Sequence, residues 1–119
     1  MNLRTLTVIA AGGVLGALTR YGLNTAWPHP EGAFPWATWL INVSGCLVIG
    51  VVSVLVPAPR ILRLFLATGF LGGYTTFSTA MTDVVVSPTV IGLAYLVATV
   101  AGALLAVWAG SSLARRVRR

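Results

Sequence analysis

An all-α membrane protein of four transmembrane helices, the third broken near its middle, is the fold class that the sequence predicts. Three observations carry it. Of 119 residues, 57% are hydrophobic and 8% charged, with a mean hydropathy of +0.91, whereas soluble domains carry about 25% charged residues. Four apolar stretches, at about 5–26, 34–56, 61–86 and 90–113, are separated by short turns rich in proline or glycine, and each exceeds the roughly 20 helical residues that cross hydrocarbon. Inside the third, the run Gly69–Asp83, GFLGGYTTFSTAMTD, sets glycines and hydroxyls where a lipid-facing helix would be uniformly apolar. The whole chain is read as a single four-helix transmembrane domain.

The first stretch is a span and not a cleaved signal, because Arg20 lies within it and three similar segments follow. Gly12 and Gly16 form a GxxxG pair, and Arg20 continues the same helical face, which is therefore expected to point inward against another helix. In the loop that follows, His29 has too few ligand types nearby to hold a metal. The second span carries Thr38, Asn42 and Gly45 at i, i+4 and i+7. This polar and small stripe suits either hydrogen bonds between helices or the lining of a pathway. Cys46 beside it is read as a packed thiol, and no internal disulfide is open to a single cysteine.

Within the third span, Gly72 and Gly73 weaken helical continuity, while Thr75, Thr76, Ser78 and Thr79 supply hydroxyls for the freed backbone groups. Irregular backbone at membrane depth survives only where protein, an ion or water satisfies it, so the break predicts an ion or substrate site. Asp83 follows the break, and Arg20 is its expected countercharge at similar depth. In the fourth span Gly92, Tyr95, Thr99 and Gly102 share one face. Tyr95 and Thr99 offer two hydroxyls, for an ion or for a neighbouring helix.

All eight basic residues are arginines, against Glu31 and Asp83, for a net charge of +6. Topology explains the surplus without a nucleic-acid partner. Arg4, Arg60, Arg63, Arg115, Arg116, Arg118 and Arg119 fall on one side of a four-span chain, and the opposite turns carry no Lys or Arg. The positive-inside rule then places both termini in the cytoplasm in one fixed topology, with the tail arginines against anionic headgroups of the bilayer. A chain this short does not enclose a pathway alone, so a second subunit is expected. No carboxylate pair, Ser/His/Asp set or metal cluster points to an enzyme.

The central run resembles the Fluc (CrcB-type) fluoride channels of microorganisms, whose third span carries GxxGGxTTFSTF. GGVLGALTRY in the first span is similar to that family's GxxGAxxRY, ATWLINVSGCLVIG in the second to its GTxxVNxxGxxxxG, and Tyr95 with Thr99 to its Tyr and Ser/Thr pair. The resemblance covers essentially the whole chain. It implies a passive channel exporting fluoride across a bacterial or archaeal cell membrane, assembled as an antiparallel dimer. It further implies a structural sodium ion at the dimer centre on the backbone carbonyls of Gly72 and Thr75, and a pore lined by Phe77, Asn42, Tyr95 and Thr99, with Ser78, Thr79 and Thr38 nearby. Two positions depart from the pattern: Ala80 replaces a second phenylalanine, and Asp83 replaces a glutamate.

Ala80 removes a ring from the pore, and seven arginines oppose insertion the other way round. Both features predict a heterodimer with a homologous four-span subunit of opposite charge bias, in preference to a homodimer. A small multidrug-resistance exporter is the main rival. It needs a carboxylate in the first span, where this chain has only Arg20. A non-conducting assembly subunit is the other, and Ala80 admits it.

Overall fold

The computed structural model describes residues 2–30, 32–57 and 60–119. Glu31, and Ala58 and Pro59 in the expected PAPR turn, lie outside the described residues. The chain forms α1 (Leu3–Ala26), α2 (Trp36–Leu55), a third span in two pieces, and a last helix (Thr89–Arg118). The first piece, α3, covers residues 61–74; the second, α4, is Ser78–Val86; the last helix is α5. Asn2 caps α1 by accepting the Thr5 N–H at 2.9 Å, and prolines 35 and 88 stand at the starts of α2 and α5, where a missing N–H costs no helical bond.

Among the described residues three helices are long and apolar enough to cross a membrane, and the interrupted third span completes four. The expected break is present, at residues 75–77. Two features differ from expectation. Within α3, Leu64–Leu71 winds as a π-helix, and the Gly72 N–H reaches back to the Ala67 carbonyl; such wide turns mark sites where a helix is forced out of register. The fourth span was expected to stop near residue 113, yet α5 runs on to Arg118. Nothing in SSLARRVR breaks a helix, and arginines in a last turn complement the helix dipole.

Glycines set the packing. Gly12 and Gly16 are the buried residues of α1, as their spacing predicts. A Cβ on Gly12 would stand 2.6 Å from the Phe65 carbonyl oxygen, and one on Gly16 2.8 Å from the Tyr74 nitrogen, so α1 and α3 touch backbone to backbone. A second seam joins α2 to α5, where a Cβ on Gly50 would lie 3.0 Å from the Ser111 nitrogen and Gly102 faces Trp39 and Val43. In α4 the partner changes: Gly92 of α5 sits against the Val84 carbonyl, at 2.8 Å for an added Cβ. The third span thus leaves α1 and joins α5 across the break. Leucines and valines such as Leu18, Val97 and Leu104 stay exposed, the surface that lipid covers. Exposed Trp27 and Trp36 at one end and Trp108 towards the other match an interfacial aromatic belt.

Candidate functional site

Thr75 leaves the helix with extended backbone (φ −80°, ψ 156°), so each peptide group around it needs another partner. The Leu71 carbonyl accepts both the Thr75 N–H at 3.0 Å and the Thr75 hydroxyl at 2.8 Å. Thr76 is held from α2. Asn42 Oδ1 accepts the Thr76 N–H at 2.8 Å, and Asn42 Nδ2 donates to the Thr76 carbonyl at 3.0 Å. Because Thr76 presents one donor and one acceptor, only one orientation of the amide satisfies both. The Thr76 hydroxyl then accepts from the Thr79 N–H at 3.2 Å and closes the first turn of α4. Across the break, Arg20 Nε donates to the Gly73 carbonyl at 3.2 Å.

This accounting leaves a remainder. Among the described residues, no hydrogen bond reaches the carbonyls of Gly72, Tyr74 or Thr75. Gly72 is exposed on the single chain, so its carbonyl is open to a group from outside. Unpaired carbonyls on an unwound segment are oxygen ligands for a hard cation without any carboxylate, and Gly72 and Thr75 fit a sodium ion in that respect.

Around the break lies a groove of about 630 Å³ bounded by α2, α3, α4 and α5. It brings together Asn42, Thr75, Phe77, Ala80 and Thr99, with Cys46 one turn along α2 from Asn42. Phe77 is 78% exposed on the single chain, whereas Ala80 is 1% exposed. Tyr95, Thr38, Ser78 and Thr79 are not brought to the groove wall. Tyr95 is fully buried, with the edge of Phe34 against its ring at 5.3 Å and 78°. Among the described residues its hydroxyl, the Thr99 hydroxyl and Asp83 Oδ2 are buried with no partner, an exception to the usual pairing of buried polar groups. Thr38 is buried and donates to Asn24 Oδ1 at 3.3 Å, so here the stripe serves helix contact.

The expected pairing of Arg20 with Asp83 is corrected by the structure. Arg20 caps the Gly73 carbonyl, and Asp83 Oδ2 has no partner. Similar depth did not mean the same side, because α4 turns away from α1 to pack on α5. Sequence reasoning also missed Asn24, Ser44 and Tyr74 as participants. The Ser44 and Tyr74 hydroxyls lie 3.0 Å apart, and Gly45 admits the Tyr74 ring edge, 3.3 Å from where a Cβ would be. Asn24 could have been found: it follows Gly12, Gly16 and Arg20 at a constant step of four.

Chemically, the groove offers hydroxyl donors, one uncommitted amide N–H of Asn42 and the positive edge of an aromatic ring, all beside unpaired carbonyls. The comparisons agree with a channel family. Residues 7–111 match the family described as CrcB-like protein, Camphor Resistance (CrcB). The chain is 48% identical to fluoride-specific ion channel FluC 1 of Streptomyces coelicolor, over 94% of this chain and 78% of that protein. It is 47% identical to FluC 2 of Nocardia farcinica, over 92% and 84%, and 40% identical to FluC of Rhizobium meliloti, over 92% and 95%. A match of this extent, over a chain of four apolar spans, makes this a multi-pass membrane protein that belongs to the CrcB-like family.

Proposed function

We propose that the protein is a subunit of a fluoride-selective passive channel that lets fluoride leave the cytoplasm and so limits its toxicity. The names of its relatives supply the ion. One observation carries the reading: a helix break pinned open by Asn42, with the carbonyls of Gly72 and Thr75 unpaired and Phe77 turned out beside it. Fluoride is small and strongly hydrated, so it gives up water only to several donors at once. The second Asn42 N–H, the Thr99 hydroxyl and the edge of Phe77 form such a set. Tyr95, one turn behind Thr99, and Thr38, Ser78 and Thr79 stand off the groove wall and support the path from behind. A sodium ion on the Gly72 and Thr75 carbonyls would supply a fixed positive charge beside that path. Arg20 holds the first half of the break in place through the Gly73 carbonyl.

The complex is completed by a second subunit in the opposite orientation, so that its own groove and phenylalanine meet this chain's. Both termini of this chain lie in the cytoplasm. Seven arginines fix that topology, so the partner is a homologue with the opposite bias; two differently numbered FluC relatives from Streptomyces avermitilis support pairs of such proteins in one cell. The partner supplies, for at least one working pore, the phenylalanine that Ala80 replaces in this chain.

Fluoride efflux from liposomes tests the reading, with this chain alone and with the oppositely biased homologue. Selective efflux from the pair is expected. Efflux as fast from this chain alone would sink the pairing, and none from either would sink the channel.

A further inference from the structure

We infer that Arg63 is the anion-collecting residue of the arginine-bearing face, drawing small anions into the groove that leads to the break. This rests on the fluoride reading above. Of the seven arginines on that face, Arg63 is half-buried and the other six are exposed. It lines a second cavity of about 400 Å³ with Ser53, Leu64, Thr68 and Val107. That cavity and the groove at the break share two wall residues, Ile49 and Ala67. The two cavities are therefore neighbours along α3 with Ile49 and Ala67 between them, Arg63 in the outer one and Asn42, Thr75 and Phe77 in the inner one.

The guanidinium is fixed at the mouth. Its Nη1 donates to the Val56 carbonyl at 3.4 Å, at the end of α2, and its remaining donors are uncommitted. Ser53 spends its hydroxyl on the Gly50 carbonyl, so it offers no proton to an anion. The Thr68 hydroxyl, one step further in, has no partner among the described residues. No carboxylate lines either cavity among the described residues. A positive group at the mouth of a largely apolar cleft focuses its field inward and raises the local anion concentration. A half-exposed guanidinium holds an anion too loosely to trap it, as conduction requires.

The test is fluoride efflux from liposomes of neutral phosphatidylcholine, using the assembled complex at low and high ionic strength, about 0.01 M and about 0.3 M, where screening differs severalfold. Arg63→Gln is expected to lower flux about threefold or more at low salt and by less at high salt. Arg63→Lys retains the flux, and Arg60→Gln, an exposed arginine of the same face, leaves it unchanged. Labelling an Arg63→Cys complex after assembly, in a background freed of other cysteines by Cys46→Ala, separates collection from folding: a cationic methanethiosulfonate restores flux and an anionic one suppresses it. The inference is overturned if Arg63→Gln conducts like wild type at low salt, if its loss is the same at both salts, or if both labels act alike. A loss confined to vesicles containing anionic lipid also overturns it, in favour of a headgroup site. Wild-type flux with an indifferent Arg63→Gln removes this inference alone; absent wild-type flux removes the fluoride reading as well.

Discussion

The two halves of the third span are built for different purposes. Residues 61–74 lie on α1 with glycine against backbone, and the seam tolerates no added methyl at Gly12, Gly16 or Gly73. Ser78–Val86 rests on α5 mainly through Gly92 and leaves Phe77, Val85 and Val86 exposed. Lipid accounts for exposed valines. It does not account for a phenylalanine beside an unwound segment with unpaired carbonyls, which sets the start of the second half apart from an ordinary lipid-facing surface. One half anchors the break and the other presents it.

That contrast can be broken or sharpened by substitution, ranked by effect on stability. Gly16→Val should cost the most, roughly 3 kcal/mol or beyond, because the obstacle is backbone that cannot rotate away. Chemical or thermal unfolding in detergent would register it, and a variant as stable as wild type would deny the seam. Asn42→Leu should follow at about 2–6 kcal/mol, since both the N–H and the C=O of Thr76 lose a partner at about 1–3 kcal/mol each. Fluoride efflux should vanish with it. Ser44→Ala removes the bond to the Tyr74 hydroxyl and should cost about 1 kcal/mol, with efflux largely kept. Phe77→Ala should move the stability of the single subunit by no more than about 0.5 kcal/mol while cutting fluoride efflux at least about tenfold, a loss of some 1.4 kcal/mol in the barrier. If Phe77→Ala instead unfolds the subunit and spares flux, the assignment of the two halves is reversed.

Much of this was legible in the residues. Apolar runs between prolines gave the spans, and the GxxxG step in the first gave its buried face. Paired glycines followed by hydroxyls gave the break. The limits have physical causes. Whether Asn42 faces a pore or a peptide depends on how α2 crosses the break, which spacing along one helix does not encode. Here it faces the Thr76 peptide with both ends of its amide, and one N–H is left over at the groove wall. Arg20 and Asp83 were matched by depth, but a change of direction at the break moved them to different neighbours. The end of α5 was set by hydropathy, although helix propensity continues through the arginines. The π-helical turn at Leu64–Leu71 has no compositional signature at all.

The bond between Asn42 and Thr76 also bears on how the protein is made. The second span leaves the ribosome before the third, so the Asn42 amide enters the bilayer ahead of its partner. A third span inserted without it would hold a bare peptide at Thr76. The second span is apolar enough to insert alone, whereas the broken third gains the partner for its Thr76 peptide only beside it, which ties completion of the break to the order of synthesis. An error in that step would be seen as a subunit with four inserted spans and no formed centre.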